Sequence, residues 1–210
     1  MDSRLSYRCL RGLVIVIALM MIADLAGAAE FSAETIIDQP GQKQRVTMYV
    51  KGQQLRVEMV DTFGQKQILI SRPDNDQKTF MLYPETKTYM RLPAVEVQSP
   101  VGQNEAALKK IGKRRLVGQE NIEGYFCDKY EITYYNKYLG KMIVWVARKL
   151  NYPIQMIQVG GPPDNSADRK LTNIKEHRVP DALFSVPDGY KQVKKPQGDC
   201  RAGLCRINFF

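Results

Sequence analysis

The chain has 210 residues, 44% of them hydrophobic, and a formal net charge of +9, a balance that fits one domain with a sizeable core. It contains one histidine, His177, and no Cys-x-x-Cys pair, so the usual ligand sets for zinc are missing from the sequence. Nor does any motif supply a nucleophile with its base. We therefore expect no metal, no cofactor and no catalytic residues.

The N-terminus has the organisation of a secretory leader. Three arginines precede the apolar run Leu13–Ile22, and the small residues Ala26–Ala29 follow it. We predict a signal peptide over residues 1–29, periplasmic localisation, and a single mature β-domain over 30–210. Removing the leader takes away three arginines and two aspartates, so the net charge falls only to +8. This excess favours an anionic surface as a partner, and export argues against nucleic acid.

The first half of the mature chain alternates apolar and polar residues between turns rich in Gly, Pro, Asp and Asn. This pattern predicts antiparallel hairpins. The expected strands are Phe31–Ile37, Gln44–Val50, Leu55–Val60, Gln67–Ser71, Lys78–Tyr83 and Lys87–Leu92.

One short helix interrupts the strands. Asn104 is placed as its N-cap, Glu105 begins it and Gly112 is suited to end it, so it spans about two turns. The strands that follow are predicted at Arg114–Ile122, Tyr125–Tyr135, Lys141–Arg148, Tyr152–Val159 and Leu171–Arg178.

Two features of this second half predict how the sheet is covered. The run Lys141–Arg148 is apolar on both alternations, which predicts a central strand covered on both faces. The segment from Ala182 to Tyr190 is expected to return and plug an edge or an end of the sheet.

These elements predict a mainly β (α+β) domain with about ten or eleven strands and one short helix. A single strongly curved antiparallel sheet, or a half-open barrel, is the simplest arrangement. We expect residues 191–210 to form a C-terminal tail that contains cysteines.

Three cysteines remain after the leader: Cys127, Cys200 and Cys205. Export permits disulfides, and Cys200 and Cys205 are close enough in sequence to form a local pair. Cys127 lies in a strand pattern, where a buried thiol behaves as a small hydrophobe. A redox or metal role for these cysteines is the alternative.

Several short segments resemble an uncharacterised group of exported bacterial domains that is similar to the periplasmic outer-membrane lipoprotein carriers, the LolA-like fold. The segments are Tyr49–Glu58, Ile70–Asp74, Tyr83–Tyr89, Gly118–Tyr130 and Leu183–Tyr190. The resemblance implies a half-open barrel with a helix in its concavity and, for the carriers, a hydrophobic cavity for lipoprotein acyl chains. This chain begins directly in a strand and has little helix to serve as a lid.

The apolar strand positions form the candidate ligand-binding wall. They are Val46, Met48, Val50, Leu55, Val57, Met59, Phe80, Leu82, Met142, Val144, Ile154 and Met156. Flexible methionines suit a deformable surface for varied hydrocarbon. Periodicity does not distinguish such a wall from an ordinary core, so both interpretations stay open.

The densest basic cluster surrounds the helix: Lys109, Lys110, Lys113, Arg114 and Arg115. We expect it to contact lipid head groups or an anionic membrane, with a solvated surface as the alternative.

The sequence therefore favours a non-enzymatic periplasmic carrier or binding protein for a lipid, an acylated protein or another apolar ligand. The alternative is an envelope-stress or scaffold module that has a filled core and binds an envelope protein.

Overall fold

The structure is a computed structural model and describes residues 29–39, 42–61, 64–72, 78–92, 105–161 and 168–194. The predicted leader up to residue 28, the Asn104 cap, Cys200 and Cys205 lie outside these residues. Within the described part, no helix is both long and apolar enough to cross a bilayer.

Twelve strands and one α-helix form the described fold. The strands of the first half are β1 (Glu30–Gln39), β2 (Gln42–Lys51), β3 (Gln54–Val60), β4 (Lys66–Arg72), β5 (Lys78–Tyr83) and β6 (Thr88–Leu92). The helix α1 (Glu105–Ile111) follows. The remaining strands are β7 (Gly112–Ile122), β8 (Tyr125–Tyr134), β9 (Lys141–Ala147), β10 (Tyr152–Val159), β11 (Arg169–Glu176) and β12 (Lys191–Gln192).

All strands belong to one open sheet in the order β12-β6-β5-β4-β3-β2-β1-β11-β10-β9-β8-β7. The first strand, β1, is central because it pairs with β2 on one side and β11 on the other. Ten of the eleven strand pairings are antiparallel, in agreement with the hairpin pattern of the sequence. The expectation of a purely antiparallel sheet of ten or eleven strands is corrected by β12, which pairs in parallel with β6. Its two polar residues carry no alternation that a sequence pattern can detect.

The hairpin between β7 and β8 turns on two residues with positive φ, Glu123 at 49° and Gly124 at 83°. A type I′ turn requires this conformation at both central positions, and its twist matches that of the flanking strands. The turn closes a hairpin whose outer strand, β7, is the last of the sheet.

The register of the first strands separates two faces. Val50 pairs with Phe31 and Leu55, and Met48 pairs with Ala33 and Val57, so these residues share one face. Tyr49 pairs with Arg56, which pairs with Ile70, so these lie on the other face. The first face packs into the largest core cluster together with residues of β8 to β11 such as Cys127, Trp145, Ile154 and Leu171.

Strand β9 is covered on both faces, as its sequence predicts. Trp145 and Ala147 belong to the largest core cluster, whereas Val144 packs with Leu108 and Ile132. Neighbouring side chains of a strand point to opposite faces, so helix α1 lies over the face that Trp145 does not occupy.

The segment 179–193, which we call the C-terminal strap, covers the Tyr49 face of β2 to β6. Val179 and Phe184 pack against Ile68, Ile70 and Leu82, and β12 then adds to the edge at β6. The segment from Ala182 to Tyr190, expected at an edge or an end, thus packs on a face of the sheet, and β12 directly after it extends the edge at β6.

Candidate functional site

Six of the predicted wall residues lie together on β2 and β3, which we call the β2–β3 wall: Val46, Met48, Val50, Leu55, Val57 and Met59. The protein's own chain covers much of this surface, since Val46 and Val50 are each 1% exposed. Val46 and Met59 pack with Leu69 and Met81, two residues of the same face that are absent from the predicted wall.

Phe80 and Leu82 lie on the face opposite the β2–β3 wall. Leu82 pairs with Ile68, which pairs with Glu58, whereas Met81 pairs with Leu69. Strands β4 and β5 each contain three consecutive apolar residues, Ile68-Leu69-Ile70 and Phe80-Met81-Leu82. Both faces of each strand are therefore apolar, and the sequence does not reveal which residues face the wall. Phe80 and Leu82 instead pack beneath the C-terminal strap.

Polar contacts fasten the strap to the sheet. The Lys51 ammonium lies 2.6 Å from Asp181 Oδ1, and the Val179 amide donates to Glu30 Oε1 at 2.6 Å. Arg56 Nη1 donates to the Leu183 carbonyl at 2.9 Å. These bonds and the parallel strand β12 resist displacement, so the surface around Phe80 and Leu82 is a poor place for an exchangeable ligand.

Beneath this strap, Arg56 and Glu58 form a half-buried ionic group. The Arg56 guanidinium and the Lys66 ammonium each lie 2.7 Å from the Glu58 carboxylate. Burial acts to raise the pKa of Glu58, but the hydrogen bonds from Lys66 and Arg56 outweigh it, so the pKa is lowered. The Glu58 carboxylate therefore stays ionised near neutral pH.

A different apolar surface lies beneath helix α1, and we call it the α1 floor: Ile132, Met142, Val144 and Met156. Ile132 pairs with Met142 and Val144 pairs with Met156, so the four side chains share one face of β8 to β10. Ile132 and Val144 are fully buried, while the two methionines are half-buried. Three of these residues belong to the wall predicted from the sequence.

Helix α1 lies over the floor and contacts it through Leu108. Its seven residues end at Ile111, where β7 begins at once. Leu108 packs on Ile132 and Val144 and is 8% exposed, whereas Lys109, Lys110 and Ile111 are exposed. Of the α1 side chains that the structure describes, Leu108 alone is buried. Leu108 is therefore the described α1 side chain that covers the α1 floor.

The last predicted wall residue, Ile154 of β10, packs in the same core cluster as Met48 and Val50 of the β2–β3 wall. It belongs to the largest core cluster with Trp145 and Leu171 and is 1% exposed. The structure thus distributes the twelve predicted positions over separate clusters, with the β2–β3 wall and the α1 floor as the two coherent groups.

The predicted basic cluster divides between α1 and β7. Lys109 and Lys110 are exposed on α1, and Lys113 is exposed on β7. The guanidinium of Arg114 lies 4.9 Å from the centroid of the Tyr130 ring, and Arg115 pairs with Glu131 at 3.3 Å. Both arginines are thus held against β8, and the exposed lysines lie nearest the helix.

Cys127 is a free, fully buried thiol whose Sγ donates to the Tyr125 carbonyl at 3.3 Å. Burial raises the pKa of this thiol. The expectation that Cys127 behaves as a small hydrophobe agrees with its place in the core. The predicted pairing of Cys200 with Cys205 concerns residues outside the described part.

The described residues form an open, almost entirely antiparallel sheet with one short α-helix, so by its fold this chain is an open-sheet β-domain. The chain belongs to the DUF4412 family, a domain of unknown function, whose sequence pattern matches residues 33–152. The resemblance inferred from the sequence is thereby confirmed.

Solved structures with a similar fold include an uncharacterised conserved protein from Thermus thermophilus. It is 13% identical, with a TM-score of 0.51, over 79% of this chain and 90% of that one. A chain of the MucA/MucB complex of Pseudomonas aeruginosa is 13% identical at a TM-score of 0.49, over 80% of this chain and 59% of that one.

A putative outer-membrane lipoprotein-sorting domain from Vibrio parahaemolyticus is 15% identical at a TM-score of 0.35, over 77% of each chain. A search of curated proteins found no match.

Proposed function

We propose that this protein is a non-enzymatic periplasmic binding or carrier protein that holds the acyl chain of a lipid or an acylated protein on the α1 floor. The observation that carries the proposal is the cover of this floor: a seven-residue helix that inserts Leu108 between apolar strand residues. An acyl chain that displaces Leu108 would meet Ile132, Met142, Val144 and Met156.

The energetics favour such an exchange. An isolated helix of two turns is unstable in water, so α1 depends on its packing against the sheet. Exposing a leucine side chain costs about 2 kcal/mol, whereas burying an acyl chain contributes about 0.8 kcal/mol per methylene. A chain of several methylenes on the floor therefore compensates for the displaced leucine.

The floor also has an adaptable composition. Met142 and Met156 are half-buried, so their side chains already border the cover and not only the deep core. Methionine has an unbranched, polarisable side chain that packs against irregular hydrocarbon. Selection on this surface would depend on shape and apolar area, without a directional hydrogen bond.

Export is part of the proposal. The leader predicted at residues 1–29 would deliver the chain to the periplasm, where Cys200 and Cys205 can form a disulfide. No nucleic-acid partner is expected in that compartment.

A second candidate function, a scaffold that binds an envelope protein, is favoured by the burial of the β2–β3 wall. Val46 and Val50 are each 1% exposed, and Met81 is fully buried by the protein's own side chains. A core filled in this way has no need of a hydrocarbon guest, and the outer surface would then carry the function.

Lipid extraction separates the two candidates. The full chain would be expressed, purified from periplasm and extracted with organic solvent for mass spectrometry. Stoichiometric lipid, with uptake of a fluorescent fatty acid after delipidation, supports the carrier. An extract without lipid, together with no uptake of the fatty acid, supports the scaffold.

Two variants locate the site. Met142→Trp should fill the space beside the α1 floor and lower fatty-acid affinity about tenfold or more. Phe80→Trp is the matched control, since Phe80 is half-buried beneath the strap, and it should leave the affinity unchanged. Equal losses in both folded variants would contradict the α1 floor as the site.

A further inference from the structure

At one end of the sheet, β7 and β9 begin and their antiparallel neighbours β8 and β10 end. Gly112 pairs with Tyr134, and the amide of Tyr135 donates to the Ile111 carbonyl at 2.9 Å. Lys141 pairs with Thr133 on one side and with Val159 on the other. Helix α1 enters β7 at this same end, so whatever binds here lies beside the α1 floor.

Exposed apolar side chains concentrate at this end. Tyr138 is 70% exposed, Tyr135 55%, Val159 49% and Ile111 42%. Exposed hydrophobic residues scattered singly over a protein surface need no explanation, but a group of them at one place marks an interaction site. Neither tyrosine was singled out by its sequence pattern, because both lie where a strand ends and a turn begins.

Basic residues accompany the apolar ones. Lys110, Lys113, Lys137 and Lys141 are exposed at this end. Among the described side chains at this end, the acidic groups are Glu131, which lies 3.4 Å from the Lys141 ammonium and 3.3 Å from Arg115, and Asp168, which accepts from the Gln158 backbone amide at 3.0 Å. Basic groups therefore outnumber acidic ones among these described side chains.

We propose that this end, which we call the end patch, docks on an anionic phospholipid surface. Tyrosine rings favour the boundary between head groups and hydrocarbon, where the ring meets apolar tails and the hydroxyl stays hydrated. Lysines beside them are attracted to the negative surface of anionic lipids. The combination of exposed aromatic and aliphatic groups with lysines fits a lipid surface better than an acidic protein, which would leave the apolar groups unmatched.

Docking through the end patch brings helix α1 to the membrane. An acyl chain that leaves the bilayer would then reach the α1 floor without crossing water. This role in exchange rests on the proposed function, whereas docking itself does not.

Vesicle sedimentation tests the docking. The delipidated full chain, purified from periplasm, would be mixed with vesicles of phosphatidylglycerol and phosphatidylcholine, or of phosphatidylcholine alone. Tight binding to the anionic vesicles at low salt, weakened but not abolished by high salt, is the expected result. No binding to anionic vesicles would overturn the proposal.

Variants identify the surface. Lys110→Gln with Lys113→Gln should weaken anionic binding by about fivefold per lysine, roughly twenty-fivefold together. Lys175→Gln with Lys191→Gln removes the same charge at two other exposed positions and should have a much smaller effect. Equal losses of vesicle affinity in the two double variants would mean that binding depends on net charge and not on the end patch.

The aromatic contribution has its own control. Tyr138→Ser should abolish the binding that persists at high salt, whereas Phe126→Ser should not. Phe126 is 46% exposed but pairs with Asn121, toward the opposite end of the β7–β8 hairpin. Retention of salt-resistant binding by Tyr138→Ser would contradict insertion of the patch.

The two proposals fail separately. Fatty-acid uptake in solution without vesicle binding removes the end patch and leaves the α1 floor. Vesicle binding without uptake of lipid supports docking and removes the carrier function. If anionic vesicles do not bind but a protein partner does, and Tyr138→Ser abolishes binding of that partner, the end patch would be a protein-binding surface instead.

Discussion

Arg56 in β3 donates a 2.9 Å hydrogen bond to the carbonyl of Leu183 in the C-terminal strap and also contacts Glu58 within its own strand. This guanidinium is 9% exposed as a residue, and it joins two parts of the chain 127 residues apart. A largely buried charged group thus fixes the strap, whereas the apolar contact of Leu108 holds α1.

Replacing this guanidinium should destabilise the protein strongly. Arg56→Met leaves the Leu183 carbonyl and the Glu58 carboxylate with fewer hydrogen-bond donors. We expect the free energy of unfolding to fall by roughly 2–4 kcal/mol. Urea unfolding followed by the fluorescence of Trp145, the only tryptophan of the chain, measures it. Arg45→Met is the control, because the Arg45–Glu34 pair is exposed and should contribute less than about 1 kcal/mol. Similar losses in the two variants would contradict a structural role for Arg56.

The Glu58 carboxylate should make the stability sensitive to acid. Its pKa is lowered in the folded state because hydrogen bonds from Lys66 and Arg56 outweigh the effect of burial. A lowered folded pKa means that the contribution to stability is complete above the unfolded pKa of about 4.3 and is lost as the pH falls through the folded pKa.

The comparison of wild type with Glu58→Gln isolates this group from the other carboxylates. The wild type should be the more stable at neutral pH, and the gap in the free energy of unfolding should narrow as the pH falls below about 4. Urea titrations over that range provide the measurement. A gap that stays constant with pH would show that the charge of Glu58 contributes nothing.

The contrast between β4 and β9 shows why part of the site was predictable. For β9, both alternations are apolar and the strand has a neighbour on each side, so coverage of both faces agrees with the sequence pattern. For β4 and β5, both alternations are also apolar, but the assignment of Phe80, Met81 and Leu82 to a face depends on the register with β3. Register is set by turns and packing across the sheet, which periodicity within one strand does not encode.

The end patch was missed for a related reason. Tyr135 and Tyr138 lie in the connection from β8 to β9, and their significance comes from exposure beside Ile111 and Val159. These four residues are brought together by the sheet order and not by sequence spacing. The basic cluster, in contrast, is contiguous in sequence and was predicted as a group.

Strand β7 is tied to β9 through the Glu120 carboxylate. Trp145 Nε1 donates to Glu120 Oε2 at 3.0 Å, and the Lys129 ammonium lies 2.6 Å from Oε1 and 4.8 Å from the centroid of the indole. The hydrogen bonds from Lys129 and Trp145 lower the pKa of Glu120.

Trp145 fluorescence should therefore report protonation of Glu120, with an acid midpoint below the ordinary value of about 4.3. The transition should disappear in Glu120→Ala, because no carboxylate then accepts from the indole. Glu123→Ala removes a carboxylate that pairs with Lys170 instead and should preserve the transition. Persistence of the acid transition in folded Glu120→Ala would contradict the assignment.

The buried thiol of Cys127 should be unreactive in the folded protein. Burial raises its pKa and excludes reagents, so both the thiolate fraction and its access are low. With Cys200 and Cys205 joined, Ellman's reagent should detect no thiol in the native periplasmic protein and one per chain after unfolding. Cys127→Ser should abolish the signal from the unfolded protein, while two further thiols in that variant would contradict the proposed disulfide.

The unequal attachment of α1 and the C-terminal strap should appear when one buried side chain is removed from each. Leu108 is 8% exposed and belongs to a short helix, whereas Phe184 is 1% exposed and belongs to the C-terminal strap, which polar contacts fix to the sheet. Phe184→Ala should cost about 3–5 kcal/mol of global stability, because the cavity cannot close. Leu108→Ala should cost less than about 2 kcal/mol, because α1 can detach locally while the sheet stays folded. Hydrogen exchange should also accelerate at α1 but not at β12 in Leu108→Ala. Equal global losses, with exchange unchanged at α1, would show that the helix is integral to the core, and the α1 floor could not open for a ligand.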